Sequence, residues 1–200
     1  MNNTRQLHRS FIAIFPPKEV INKLLFIQSK LRSFGGHVRW EKEDKFHFTL
    51  QFWGDKTEEW LNKVNEELSA YCSHISKFTI RITRTGCFPN KYSPKIFWIG
   101  STPEENIPLE KLVNAITEIS EQNGHQPDKK PFHPHITMGR GKARLTGSVG
   151  QGKINTDLIQ NLETVTFHPL EFRCTELRII KSILAQSGST YTTLFTIPLK

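Results

Sequence analysis

The chain is expected to fold as an α+β protein built on antiparallel sheets. Three features carry that expectation. Strand-like and helix-like periodicities are interspersed along the 200 residues, and the last two strand candidates are joined by a hairpin-type turn, Gln186-Ser187-Gly188-Ser189. A strand–helix pattern also begins again after Gly100. There is no Gly-rich phosphate loop, heptad array, short-period repeat or low-complexity tract. No linker is long enough to separate independent units, so residues 1–200 are expected to form one domain.

The first strand is Phe11-Ile12-Ala13-Ile14-Phe15, stopped by Pro16-Pro17, with Pro17 suited to a first helical position. Val20, Leu24, Ile27, Leu31 and Phe34 then recur at three- and four-residue steps, giving a helix that ends at Gly35-Gly36. A strand from Phe46 to Trp53 closes at Gly54-Asp55. Thr57 can cap a second helix, whose first turn carries Glu58 and Glu59 where the helix dipole favours them. Leu61, Val64, Leu68 and Tyr71 form its buried face. Residues Phe78 to Arg84 alternate as one half-buried strand, and Ile96 to Gly100 read as another. Leu109, Leu112, Val113, Ile116 and Ile119 make a third amphipathic helix with Gly124 as its stop. After Pro134 come a strand, His135 to Gly139, a Gly-rich basic surface loop over 140–155, and a short helix, Asp157 to Leu162. Strands Glu176 to Ala185 and Tyr191 to Leu199 close the chain.

Composition narrows the classes of function. With 36% hydrophobic and 23% charged residues the chain can bury a core unaided, and no apolar run approaches the ~18 residues of a membrane span. The run at Phe11–Phe15 is too short for a signal-peptide core. Cys72, Cys87 and Cys174 form neither an even set nor a CxxC pair, so a reducing cytoplasm is the expected location. The net charge is +8, from 27 basic and 19 acidic residues, which favours a polyanionic partner. No acidic residue lies between Glu67 and Glu104, where Lys77, Arg81, Arg84, Lys91 and Lys95 fall. None lies between Asp128 and Asp157, where Lys129, Lys130, Arg140, Lys142, Arg144 and Lys153 fall. Such stretches can follow a phosphate backbone or simply form solvated faces.

Chemistry concentrates in two strands. The first reads His47-Phe48-Thr49-Leu50-Gln51-Phe52-Trp53-Gly54 and the second Phe132-His133-Pro134-His135-Ile136-Thr137-Met138-Gly139-Arg140. Alternation puts His47 with Thr49 on one face and Phe48 with Leu50 on the other. His135 and Thr137 share a face in the same way, opposite Ile136 and Met138. Side by side, two such strands would flank a phosphorus atom with two imidazoles, one activating the nucleophile and one protonating the leaving oxygen. The threonine hydroxyls and a cation such as Arg140 can hold the non-bridging oxygens. The triplets His8-Arg9-Ser10 and His74-Ile75-Ser76 lack the flanking apolar alternation and read as surface histidines. His133-Pro134-His135 also resembles part of a metal site, but no nearby carboxylate or thiol completes a ligand set, Asp128 being the closest carboxylate in sequence. A pair of histidines on half-exposed core strands would give the same pattern without catalysis.

These residues resemble the two-histidine (2H) phosphoesterases, and within them the bacterial and archaeal RNA 2',3'-cyclic phosphodiesterase branch, also called 2'-5' RNA ligases. His47-Phe48-Thr49-Leu50 and His135-Ile136-Thr137-Met138 look like the two His-x-Thr-x motifs of that branch. Phe11 to Pro16, Val38-Arg39-Trp40, Cys87-Phe88-Pro89, Pro94 to Gly100, Pro131 to His135 and the Tyr191–Leu199 strand are similar to its other segments, so the likeness spans nearly the whole chain. The departures are Met138-Gly139, where the branch usually has Leu-Ala, and Trp53, where it usually has Leu. The resemblance implies a bilobal α+β fold with pseudo-two-fold symmetry, each lobe giving one motif to a central cleft. It implies His47 as proton donor to the leaving 3'-oxygen, His135 as proton acceptor from water, Thr49 and Thr137 on the phosphate, and Arg140 as supporting cation. Trp40, Phe52 or Phe88 would stack on a base or pack in the core.

The expected activity is metal- and cofactor-independent hydrolysis of a terminal 2',3'-cyclic phosphate to a 2'-phosphomonoester, with 2'-5' joining as its reverse. The partner is RNA or a nucleotide with such an end, with neither a membrane nor a protein partner, and the chain is expected to be a monomer. A 2'-5' phosphodiesterase of the same superfamily, a non-catalytic RNA-end-binding module and a metal-dependent phosphodiesterase are the competing readings.

Overall fold

A computed structural model describes residues 6–128, 130–141, 156–162, 164–185 and 188–200. Strand β1 (Leu7–Ile14) leads through Pro16-Pro17 into helix α1 (Lys18–Ser33), for which Pro17 is the cap. Strand β2 (Val38–Trp40), a single 3-10 turn (Glu43–Lys45) and β3 (Phe48–Thr57) follow. Thr57 caps α2 (Glu58–Cys72) by accepting a hydrogen bond from the Trp60 amide, a contact worth about 1 kcal/mol at such positions. After β4 (Phe78–Ile82), β5 (Arg84–Phe88) and β6 (Ile96–Gly100) comes α3 (Ile107–Gln122). The chain then runs through β7 (His135–Gly141), α4 (Thr156–Asn161), β8 (Leu170–Cys174), β9 (Glu176–Ala185) and β10 (Gly188–Pro198).

Seven strands line up in the order β10-β9-β1-β3-β7-β6-β5, β2 adds to β7, and β4 pairs with β8 in a separate ribbon. All described pairings are antiparallel, as the α+β expectation requires. At the centre of the large sheet, β3 and β7 meet through one residue pair, Phe48 opposite Ile136. To one side lie β3, β1, β9 and β10, and to the other β7, β6 and β5. Each side holds a strand followed by a helix, β1–α1 and β6–α3, and ends on one of the central strands. One apolar core runs beneath both halves. It joins Val20, Leu24 and Ile27 of α1, Leu61, Val64 and Leu68 of α2, and Leu109, Leu112 and Ile116 of α3 to Phe48, Leu50, Ile136 and Met138 of the central strands.

Three expectations change. The strand expected over Phe78–Arg84 is two strands, because the chain leaves the β4–β8 ribbon at Thr83 and enters the large sheet as β5. The crossover is fixed by Thr83, whose amide donates to the Gly100 carbonyl at 2.8 Å and whose hydroxyl donates to Glu105 at 2.8 Å. The Phe46–Trp53 strand runs on to Thr57, since Gly54 takes a positive φ of 70° without ending the pairing with β1. His8, expected on the surface, lies inside β1 and is buried, whereas His74 is exposed in a turn. Strands β2 and β8 are additions to the expected set. The hairpin expected at 186–189 is present as the β9–β10 pairing from Ala185 and Gly188 outward, while Gln186 and Ser187 lie outside the described residues. The basic loop beyond Gly141, with Lys142 and Arg144, also lies outside them.

Candidate active site

The site is built on the Phe48–Ile136 pair. Both residues are fully buried and point into the core, so their neighbours in sequence face the opposite side of the sheet. Antiparallel register then sets His47 across from Thr137, and Thr49 across from His135. The four motif side chains therefore form a square related by an approximate two-fold axis through the central pair. All four line one cleft of about 650 Å³.

The two imidazoles are held by the same local device. His47 Nδ1 donates to the Lys45 carbonyl at 2.7 Å, and His135 Nδ1 donates to the His133 carbonyl at 2.8 Å. A carbonyl can only accept, so Nδ1 carries the hydrogen in each ring and Nε2 is left for the cleft. Their surroundings differ. His47 is stacked on Phe11 with centroids 5.1 Å apart, tilted against Phe15 at 5.4 Å, and met edge-on by Tyr191 at 5.5 Å. Burial in this aromatic enclosure pushes its pKa down to about 4, and the charges of His135, Arg140 and Lys45 act the same way, against the opposing effect of the Lys45 carbonyl. His135 meets Phe88 edge-on at 5.0 Å, and burial is again the main reason its pKa is lowered.

A second symmetric feature follows the threonines. Pairing of β1 with β3 skips a residue between Ile12–Gln51 and Ala13–Thr49, leaving Leu50 bulged. Pairing of β6 with β7 skips between Phe97–Gly139 and Trp98–Thr137, leaving Met138 bulged. Each bulge reverses the alternation of the residues beyond it. Gln51 turns inward, where its Oε1 accepts from Trp53 Nε1 and Ser120 Oγ, both at 2.8 Å. Phe52, 45% exposed, and Arg140 turn into the cleft. Unbroken alternation would have placed Arg140 with Met138, away from the histidines. The departure at Gly139 has a local reason: a Cβ there would come within 2.6 Å of Val38 Cγ1 and 2.9 Å of Trp40 Cε3, on the adjoining β2.

Arg140 is also oriented. Its Nε donates to Glu41 Oε1 at 2.9 Å, leaving the guanidinium's outer nitrogens for other acceptors. Glu41 is anchored through its backbone: its amide donates to the Met138 carbonyl at 2.9 Å. Gln28, a buried residue of α1, donates its side-chain amide to both the Met138 and Glu41 carbonyls at 2.9 Å. One glutamine thus ties the β7 bulge to the segment that carries the arginine's partner.

Residues not singled out from sequence complete the cleft. Arg9 lies over the Phe52 ring at 4.6 Å, Lys45 lies over Tyr191 at 4.3 Å, and Arg39 lines the same wall. None sits in a motif: the register of β1 and β2 brings in Arg9 and Arg39, and Lys45 ends the 3-10 turn just before His47. Of the three aromatics left open between stacking and packing, Phe52 and Trp40 line the cleft, Trp40 also packing on Phe97, while Phe88 packs against His135. His133 points away from a shared ligand set with His135, and among the described residues no three His, Cys, Asp or Glu side chains are placed to hold a metal ion. No helix among them is long and apolar enough to cross a membrane.

Two His-x-Thr strands facing each other across a two-fold axis are the arrangement of the two-histidine phosphoesterases. The chain belongs to their LigT-like phosphoesterase family, whose model matches residues 14–98 and again 99–191, one match for each half. An RNA 2',3'-cyclic phosphodiesterase of Thermotoga maritima is 30% identical over 188 residues, 94% of this chain and 93% of that one. One of Archaeoglobus fulgidus is 31% identical over 183 residues, covering 92% and 96%. The crystal structure of TT0787 of Thermus thermophilus superposes with a TM-score of 0.72 at 27% identity, covering 96% and 97% of the two chains. That of Escherichia coli LigT complexed with 3'-AMP shares the fold at a TM-score of 0.70 and 23% identity, covering 98% and 99%.

Proposed function

We propose that the protein hydrolyses the terminal 2',3'-cyclic phosphate of RNA to a 2'-phosphomonoester, without a metal or cofactor. The observation that carries this reading is the square of His47, Thr49, His135 and Thr137 about the Phe48–Ile136 pair, with both Nε2 atoms turned to one cleft. Relatives named RNA 2',3'-cyclic phosphodiesterase, aligned over more than nine-tenths of the chain, support the substrate class.

In this mechanism neutral His135 takes a proton from water as its oxygen attacks phosphorus on the side opposite the 3'-oxygen. The P–O3' bond breaks, and protonated His47 gives its proton to the departing 3'-oxygen. One proton enters and one leaves the pair, so the two rings exchange states and reset with solvent. Thr49, Thr137 and Arg140 donate hydrogen bonds to the non-bridging oxygens, where charge builds up in the transition state. All the groups come from one chain, which supports a monomeric enzyme, and three free cysteines, two of them buried, suit a reducing cytoplasm.

The test is an RNA oligonucleotide with a 2',3'-cyclic end, incubated in EDTA with the wild type, His47→Ala and His135→Ala, and followed by phosphorus NMR. Conversion to the 2'-phosphomonoester that each substitution reduces by at least ~10²-fold is expected. Binding without turnover would favour an RNA-end-binding module, and activity restored only by added metal would favour a metal-dependent phosphodiesterase.

A further inference from the structure

A second cavity, of about 790 Å³, lies beyond the His135 side of the cleft. Its wall is continuous with the site: His133 and Trp98, which line it, have ring centroids 6.3 and 6.4 Å from that of His135, and Phe88 fills the angle between the three rings. Trp98 is also the strand partner of Thr137. On its other side the indole lies on Gly86 of β5, where a Cβ would come within 2.2 Å of Cζ2, so only glycine lets the ring seat there.

Two properties mark this cavity as a place for a ligand. First, Trp98 Nε1 and His133 Nδ1 are buried ring nitrogens with no hydrogen-bond partner among the described residues. Trp98 is 95% buried, by a relative exposure of 5%, and its indole N–H can only donate. Buried polar atoms are seldom left unmatched, and the Trp98 N–H, with the His133 ring 4.6 Å away, asks for an acceptor atom from outside the chain. Second, Arg84 lines the cavity, and no carboxylate does among the described residues. It belongs to the acid-free basic stretch between Glu67 and Glu104, which the catalytic cleft does not use. Tyr92, 99% exposed, stands at the rim.

A nucleotide with a 2',3'-cyclic phosphate is joined to the rest of its RNA only through its 5'-oxygen, so every substrate longer than one nucleotide needs a path out of the cleft. We infer that the second cavity receives the RNA chain immediately upstream of the cyclic end, with Arg84 on a backbone phosphate, Trp98 donating to an acceptor oxygen of the nucleotide beside His133, and Tyr92 beneath a base. The cavity is distinct from the four motif residues and sets a preference for RNA ends over mononucleotides. This inference rests on the proposed activity, and its test separates the two.

Steady-state hydrolysis is measured for adenosine 2',3'-cyclic phosphate and for a pentanucleotide with the same end, using the wild type and Arg84→Ala. The substituted side chain is exposed, outside the core. The variant is expected to lower kcat/KM for the pentanucleotide roughly fivefold. It should leave the mononucleotide within about twofold of wild type, the scale of a lost distant charge at moderate salt. The slope of log KM against log salt for the pentanucleotide should flatten by ~0.7, for one phosphate contact. Trp98→Phe, which keeps a ring and removes the N–H, should act in the same substrate-dependent direction. Equal effects on both substrates, or no effect on either, would overturn the subsite. A wild type that leaves both substrates intact would instead defeat the proposed activity, and anisotropy with a 2'-phosphate-ended pentanucleotide would then still show whether Arg84→Ala binds RNA more weakly.

Discussion

Binding of an anionic phosphodiester should be accompanied by proton uptake at His47. In the free protein burial holds this imidazole near pKa 4, so at pH 7 only about one molecule in 10³ carries the charged ring that a proton donor requires. A single negative charge ~4 Å from the ring, at an effective dielectric of ~20, stabilises the cation by about 4 kcal/mol. At 1.36 kcal/mol per unit, that restores the pKa to about 7. The ligand would therefore charge the ring proposed as its acid. The assay is calorimetry of adenosine 2',3'-cyclic phosphate binding to His135→Ala, which should not turn it over, in buffers of different ionisation enthalpy. This diester has no group of its own titrating near neutrality. Uptake of about half a proton is expected at pH 7, rising toward one at pH ~5.5. Nitrogen-15 shifts of the His47 ring should report the same transition. Uptake near zero at both pH values, with His47 neutral in the complex, would refute its role as donor.

The same enclosure gives the free protein an acid-labile element. The unfolded His47 binds a proton near pH 6.5 and the folded one only near 4, so stability should fall as pH drops through that window, by up to about 3 kcal/mol, and His47→Phe should flatten the decline in a denaturant series. Replacing Gln28 by Leu leaves the half-buried Glu41 carbonyl without its donor and removes one of two from the buried Met138 carbonyl, a loss of about 2 kcal/mol in urea unfolding. The surviving fold should turn over more slowly with KM less affected, because the Met138 bulge that aims Arg140 is loosened; unchanged kcat would count against this positioning role. Glu41→Ala should cut kcat roughly tenfold by freeing the Arg140 side chain, with melting temperature moved by only a few degrees. Thr57→Ala, far from the cleft, should cost about 1 kcal/mol and leave kinetics unchanged.

Most elements were legible because their periodicity is a direct image of burial. The stripe Val20, Leu24, Ile27, Leu31 is the buried face of α1, and Thr57 with its two acidic successors is a cap in fact. The histidine–threonine pairs were legible for the same reason, since a strand with an apolar back must present its alternate residues together. What failed was what strands do to each other. No local signal says that the chain changes sheets at Thr83, although Leu170, Phe172 and Cys174 do alternate in the five-residue β8, hemmed in by Pro169. The bulges at Leu50 and Met138 exist only relative to β1 and β6, so the inward turn of Gln51 and the cleftward turn of Phe52 could not be read from their own strand. Gln28 looks in sequence like one polar residue on a helix. Its function depends on two carbonyls 13 and 110 residues away.

The square of motif side chains reads the same from either end, like a palindrome. Exchange of the two halves returns histidine to histidine and threonine to threonine, so these four residues alone cannot distinguish the entering group from the departing one. Direction has to be written in what the two halves do not share. Tyr191, Lys45 and Phe15 crowd one ring, Phe88 and His133 the other, and past the paired bulges an aromatic, Phe52, answers a cation, Arg140. Substitutions in that unmatched periphery can therefore reorient a substrate, or exchange water for a ribose hydroxyl as the attacking group, while the reacting constellation stays as it is.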